Sequence, residues 1–255
     1  MLLAIDVGNS NMVFAMHDGE RVVAEWRCRT DRQRTADEYF VWLKQLMDHA
    51  GLHPRVRSVV ISSVVPQVLF NLRVLSDRYF ETRPLVVGKP EVGLGVPVRV
   101  DPTTRVGADR LVNTVGAYDR YGPNLIVVDF GTATTFDVVG HDGAYEGGVI
   151  APGVNLSLKA LHDAAAALPF IDVSKPERVV GTDTVTCMQS GIFWGYVSLI
   201  EGVCARIRAE RGVPMTVIGT GGLSTLFAQG TDVLEKIDTK LTIHGLVLID
   251  RLNRE

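Results

Sequence analysis

Short apolar runs at Leu2 to Ile5 and Val13 to Met16 flank the mostly polar stretch Asp6-Val7-Gly8-Asn9-Ser10-Asn11, and a third run, Val22 to Trp26, follows Asp18-Gly19. Runs of this length separated by turn residues predict a meander of three strands with Asp-Gly at the hairpin. The period then changes. After Thr35-Ala36-Asp37-Glu38, apolar residues recur at Tyr39, Leu43, Leu46, Met47 and Ala50 until Gly51. That is the spacing of one helix face, and Thr35 with Glu38 forms a capping box that satisfies backbone donors at the helix start. Val56 to Val65 is a β-branched run that predicts a buried strand, Pro66 suits the first turn of a following helix, and Leu85 to Val87 resumes strand character. The order β-β-β-α-β-α-β predicts an α/β unit with helices packed on a mixed sheet.

The second half begins again in the same way. Asp129-Phe130-Gly131-Thr132 lies 123 residues after Asp6-Val7-Gly8-Asn9, and with one inserted residue His17-Asp18-Gly19 falls on His141-Asp142-Gly143. Each copy has an apolar strand before the Asp, another after the small polar residues, and then an Asp-Gly turn. An offset near half the chain length points to duplication of one α/β unit, with domains expected at residues 1–115 and 116–255. Further on, Asp183 to Glu210 carries Val185, Met188, Ile192, Val197, Ile200, Cys204 and Ile207, which predicts a long, mostly buried helix. Gly191 and Gly195 stand one turn apart on it and would let another backbone approach, from this chain or from a second copy.

Composition narrows the partners. The 255 residues are 46% hydrophobic and carry 26 Lys and Arg against 29 Asp and Glu, a net charge of -3. Such a chain can fold without disulfides or metals, and it supplies no basic field for a phosphate backbone or anionic lipid, so neither nucleic acid nor membrane is expected as a partner. Cys28, Cys187 and Cys204 stand apart with no C-x-x-C pair, the pattern of reduced, buried thiols. The first residues reach Asp6 without a basic segment, and no later apolar run is long enough for a membrane span, so a cytoplasmic location is expected.

Several motifs of nucleotide and catalytic sites are missing. Gly88-Lys89 runs into Pro90 instead of completing G-x-x-x-x-G-K-[ST], Gly93-Leu94-Gly95 lacks the last glycine of G-x-G-x-x-G, and no G-x-S-x-G occurs. Asp129-Phe130-Gly131 spells the metal-binding triplet of protein kinases without the H-R-D loop that should precede it. His49 and His53 have the spacing of helical metal ligands, yet Gly51 between them marks a helix end. What remains is Asp6-Val7-Gly8-Asn9-Ser10-Asn11. A carboxylate ending a buried strand, followed by Gly and short polar residues, presents backbone N–H groups to an anion while the Asp reaches a cation bound to it. The same residues also suit any strand-to-strand turn. A second copy, Asp129 to Thr135, and a third glycine turn, Gly219-Thr220-Gly221-Gly222 after the strand Met215 to Ile218, favour paired phosphate loops with a nucleoside loop.

At this point the chain resembles the superfamily of actin, the heat-shock ATPases and the sugar and acetate kinases. More closely, Leu3 to Asn11, Val106-Gly107-Ala108-Asp109-Arg110-Leu111-Val112-Asn113, Val127 to Asp137 and Gly147-Gly148-Val149-Ile150-Ala151-Pro152-Gly153 are similar to type III pantothenate kinases over essentially the whole chain. The resemblance implies two duplicated actin-like (ribonuclease H-like) domains, mixed sheets flanked by helices, with a cleft between them. It implies ATP-dependent phosphorylation of pantothenate to 4'-phosphopantothenate, the first step towards coenzyme A. It assigns Asp6, Val7, Gly8, Asn9, Ser10, Asn11, Met12 and Val13 to the ATP phosphates and their Mg2+, and Thr132 to ATP. Gly107, Ala108, Asp109, Arg110 and Thr184 go to pantothenate, with Asp109 as the proton acceptor. Asp129 goes to a monovalent cation, K+ or NH4+, and a homodimer is implied. An alcohol attacking a γ-phosphoryl group must shed its proton, which is work for a carboxylate. Read from the residues alone, Asp109 and Arg110 could equally form a structural ion pair at a helix start.

The chain departs from the family at Val100, where many members carry an aromatic residue, and less sharply at Ser10, where threonine is common. Two other functions use the same pocket chemistry. One is a nucleotide-binding accessory factor for gene expression, which would not need Asp109; the other is a related small-molecule kinase for a sugar, acetate or polyphosphate.

Overall fold

The computed structural model describes residues 1–53, 55–165 and 168–254. Its elements form two compact units. The first holds Met1–Pro97, Asp101–Gly116 and the C-terminal stretch from Leu241; the second holds Val98–Val100 and Ala117–Lys240.

Unit 1 opens with β1 (Leu2–Val7), β2 (Asn11–His17) and β3 (Val22–Arg29), the predicted meander, all antiparallel. After α1 (Ala36–His49), β4 (Ser58–Ser63) enters parallel to β1, and β5 (Leu85–Val86) lies parallel to β4. The capping box forms as the sequence predicts: the Glu38 N–H donates to the Thr35 hydroxyl at 3.3 Å, and the Thr35 N–H donates to the Glu38 carboxylate at 2.8 Å. Pro66 begins a short 3-10 turn, Pro66–Val68, that leads into α2 (Leu69–Phe80).

Alternation along the strands sorts the two faces of this sheet. Leu3, Ile5, Met12, Phe14, Val59 and Ile61 pack with Tyr39 and Leu43 of α1 and Leu72 of α2. Leu2, Ala4, Ala15 and Val60 pack on the other face with Val112 of α3 (Ala108–Tyr121) and Ile243, Leu246 and Ile249 of α7 (Leu241–Leu252). Asp6 and Ser62 share this second face. The two helices there cross closely, because a methyl group on Gly245 would stand 2.1 Å from the Val112 carbonyl oxygen and one on Gly116 would stand 2.8 Å from that of Leu241.

Unit 2 repeats the plan with β6 (Leu125–Phe130), β7 (Ala133–Val139) and β8 (Tyr145–Pro152) antiparallel. Then β9 (Thr216–Gly221) lies parallel to β6, and β10 (Lys236–Ile237) parallel to β9. The sheet orders β3-β2-β1-β4-β5 and β8-β7-β6-β9-β10 are the same arrangement, so the duplication read from the Asp-Gly repeats extends to the whole sheet. One face of the second sheet, with Ile126, Val128, Phe136 and Val217, packs on α4 (Val154–Ala164), α5 (Thr184–Arg211) and the short α6 (Ser224–Phe227).

Three expectations need correction. The first unit does not end at residue 115. Its boundary lies inside α3, and α7 returns to it because Ile243, Leu246 and Ile249 complete the face that α3 covers only in part. Helix α5 is buried along one face only: Met188, Phe193, Ile200 and Cys204 are inside, whereas Gly191 and Gly195 are exposed, and a Cβ on either would meet no described atom within 4 Å. Among the cysteines only Cys204 is buried, its thiol pushed up to about 12 by that burial, while Cys28 is half-buried and Cys187 exposed on the open side of α5.

Candidate active site

In unit 1 the phosphate-type turn begins where β1 ends. The Gly8 N–H donates to the Asn11 carbonyl at 3.0 Å, which closes the turn before β2 starts. Thr30, just past β3, braces it from the side: its hydroxyl donates to the Gly8 carbonyl at 2.6 Å and its N–H to the Ser10 carbonyl at 3.0 Å. Asp6 stands one residue before the end of β1, on the face covered by α3 and α7. The residue is partly exposed overall, but its Oδ1 is closed to solvent and has no hydrogen-bond partner among the described residues. Burial first, and then the charge of Asp109, push its carboxyl up to about 7 against weaker opposing help from Ser62, Arg27 and the Val7 N–H.

Asp109 sits in the first turn of α3, with its Oδ1 accepting from the Arg110 N–H at 2.8 Å. A helix N-terminus favours a carboxylate by ~0.3–1 kcal/mol. Desolvation outweighs that here, and the carboxyl is held above its ordinary range by burial despite the Arg110 N–H and the Arg110 charge. The glycine before the helix has a steric reason: a Cβ on Gly107 would lie 2.6 Å from Asp109 Oδ1, so a side chain there would push the carboxylate aside.

In unit 2, Asp129 occupies the position on β6 that Asp6 occupies on β1, and the Gly131 N–H donates to the Ala133 carbonyl at 3.0 Å to close the matching turn. Two of the glycine motifs press on this loop. Gly153, the N-cap of α4, lies so close that a Cβ would stand 2.2 Å from the Thr132 carbonyl oxygen. Gly221, at φ +85°, would meet Asp129 Oδ1 at 2.5 Å. Asp129, Thr132, Gly153 and Gly221 are thereby brought together. Thr184 stands elsewhere in the unit, exposed in the first turn of α5 beside its N-cap Asp183, whose carboxylate accepts from the Thr186 N–H at 3.0 Å. It lines an open groove of about 780 Å3 with Leu161, Leu168, Cys187, Met188 and Ile192.

The segment carrying Val100 also has a defined place. Val98 bridges Tyr145 in parallel, the Arg99 N–H donates to the Tyr145 carbonyl at 2.8 Å, and the Arg99 guanidinium pairs with Asp142 and Glu146. These contacts fasten residues 98–100 to unit 2 just ahead of Gly107 to Arg110.

The site residues inferred from sequence thus fall into two sets. Asp6 to Val13 and Gly107 to Arg110 belong to unit 1, while Asp129, Thr132 and Thr184 belong to unit 2. Two supporting residues escaped the sequence reading. Thr30 gives no signal before the turn it braces is known. Ser62 does give one, as a polar residue inside the β-branched run from Val56 to Val65.

The family model described as type III pantothenate kinase matches residues 2–206. A type III pantothenate kinase from Ruegeria sp. (strain TM1040) is 62% identical over 255 residues, covering 100% of this chain and 98% of the relative. One from Dinoroseobacter shibae is 63% identical, with both chains fully covered. Among solved structures, a ROK family glucokinase from Streptomyces griseus, in complex with glucose and AMPPNP, matches with a TM-score of 0.58 at 12% identity, covering 98% of this chain and 99% of that one. The glucokinase shares the fold, the duplicated actin-like one. With a family model matching most of its length and relatives identical at more than three residues in five throughout, the chain belongs to the type III pantothenate kinase family.

Proposed function

We propose that this protein transfers the γ-phosphoryl group of ATP to pantothenate, giving 4'-phosphopantothenate for coenzyme A synthesis. The observation that carries the reading is the 62% identity with a type III pantothenate kinase over all 255 residues. The geometry supports it. Asp6 and Asp109 lie in one unit, one at a phosphate-type turn and the other at a helix start, and the charge of Asp109 acts on Asp6.

The turn from Asp6 to Val13 takes the ATP phosphates on its backbone N–H groups. Asp6 Oδ1, closed to solvent and without a hydrogen-bond partner among the described residues, is the kind of oxygen donor a hard divalent cation uses, so the residues fit Mg2+. When bound, the ion neutralises charge on the phosphates. Gly107 to Arg110 and Thr184 hold pantothenate. Asp109 accepts the proton of its primary hydroxyl, and a carboxyl raised towards neutrality is better matched to that transfer than an ordinary one. Arg110 pairs with the pantothenate carboxylate or the transferring phosphoryl group. Thr132 contacts ATP, and Asp129 holds K+ or NH4+.

The reading includes a homodimer, supported by the bare face of α5 at Gly191 and Gly195, and a cytoplasmic location. No described helix is long and apolar enough to cross a membrane.

The test is ADP release by the purified chain with ATP and Mg2+, with and without pantothenate, in potassium and then in sodium buffer. Release that requires pantothenate and rises with potassium is expected. A folded protein that ignores pantothenate would turn attention to Val100 as the sign of a changed substrate.

A further inference from the structure

The two sheets repeat more than strand order. In each, the parallel neighbour of the Asp-bearing strand sets a hydroxyl residue opposite the carboxylate: Ser62 opposite Asp6, and Thr220 opposite Asp129. Residues paired across a ladder project to the same face of a sheet. Both hydroxyl residues are interior, Ser62 at 0% and Thr220 at 2% exposure. A β-branched or aliphatic residue would fill either place without bringing a polar atom into the core, as Val60 does two positions before Ser62.

The hydroxyl of Ser62 has no structural employment. The adjacent Ser63 closes a turn, donating to the Val65 carbonyl at 3.1 Å and accepting from the Val65 N–H at 3.1 Å. Ser62 Oγ is shut off from solvent and completes no hydrogen bond among the described residues, and Asp6 Oδ1 is in the same condition. The hydroxyl residue nevertheless stands directly across the ladder from Asp6, on the same face, and helps to hold the Asp6 carboxyl down against its burial. A buried hydroxyl without a full partner is costly to keep. Its position beside a carboxylate with an unpartnered oxygen gives a reason for keeping it.

We propose that Ser62 is a positioning residue for Asp6: its hydroxyl engages one oxygen of the carboxylate and fixes its rotation, leaving the other oxygen presented to the divalent cation that accompanies ATP. Groups that hold a metal-binding side chain from behind are worth about 10-fold or more in metal affinity when removed. The inference rests on the assignment of the Asp6 turn to the metal and phosphates.

The experiment compares wild type, Ser62→Ala, Ser62→Thr and Asp6→Asn as full chains. Calorimetric binding of ATP, with Mg2+ and without it, is measured alongside the Mg2+ and pantothenate dependence of ADP release. For Ser62→Ala, MgATP binding and half-saturating Mg2+ should each worsen about 10-fold. Metal-free ATP binding and the pantothenate KM should stay within a factor of about two. Ser62→Thr, which keeps the hydroxyl, should recover most of the Mg2+ response. If Ser62→Ala retains the wild-type Mg2+ response, or loses metal-free and Mg2+-dependent ATP binding together, the positioning role is wrong. An Asp6→Asn chain that keeps its Mg2+ response would instead overturn the assignment of Asp6. Circular dichroism checks each fold, and if the alanine variant does not fold, Ser62→Cys, close in size with a weaker donor, is read by the same criteria.

Discussion

Replacing Asp6 with asparagine should stabilise the folded chain above neutrality while removing its ability to bind MgATP. Burial, followed by the charge of Asp109, holds the folded carboxyl at about 7 against an ordinary 3.8. Between those two values the folded chain binds more protons than the unfolded one, so stability falls as pH rises through the window. At ~1.36 kcal/mol for each tenfold difference in proton affinity, the cost of the buried anion reaches ~4 kcal/mol by about pH 8 and only ~1.5 kcal/mol at about pH 5. Asparagine has nearly the same shape and never carries that charge. The advantage of the variant over wild type should therefore grow by ~2–3 kcal/mol from about pH 5 to about pH 8, or ~5–10 °C in Tm at ~2–4 °C per kcal/mol. Titrations elsewhere cancel in the difference. The repulsion from Asp109 is already contained in the raised Asp6 value. The assay is calorimetric unfolding of both chains at the two pH values, with EDTA and without nucleotide. A Tm difference that is the same at both, or a variant less stable than wild type at about pH 8, would refute the reasoning.

Asp109→Asn should lower turnover by about 10^2 to 10^4 with calorimetric ATP binding nearly intact; near-wild-type turnover would remove Asp109 as the proton acceptor. Asp129→Ala should abolish the response to potassium when rates are compared in potassium, ammonium and sodium salts, and a retained response would place the monovalent cation elsewhere. Gly245→Ala would put a methyl group 2.1 Å from the Val112 carbonyl oxygen and force α3 and α7 apart. Overpacking of that kind costs ~1–3 kcal/mol, so a Tm lowered by several degrees is expected in a circular dichroism melt, and an unchanged Tm would mean that the helices do not cross so closely.

What was legible in the sequence was local. The meander of β1 to β3, the Thr35 capping box and the paired Asp-Gly turns depend on residue spacing within a few positions, and each appears where the pattern put it. The motifs also brought the right loops into view, since Asp6, Asp129 and the glycines at 153 and 221 do form tight turns or close contacts. What stayed hidden depends on pairing between distant segments. Ser62 acquires its meaning only from a parallel register that sets it opposite Asp6. The return of α7 to unit 1 follows from how much of one sheet face α3 leaves uncovered, which no repeat offset reveals. Cys187 looked like a buried thiol on composition, but its place on the open face of α5 decides its exposure.

The path of the chain has a consequence for synthesis. Helix α7 completes the packed face of unit 1 and is translated after every strand of unit 2. Domains commonly fold in the order they leave the ribosome, the N-terminal one first. Here the N-terminal sheet would wait, with Leu2, Ala4 and Val60 lacking their α7 partners, until the last helix emerges. Unit 2, continuous from Ala117 to Lys240 apart from its three-residue strap, can form beforehand. A nascent chain stalled before Leu241 would thus carry a formed second half and an unfinished first, with apolar surface open to chaperones and to other copies.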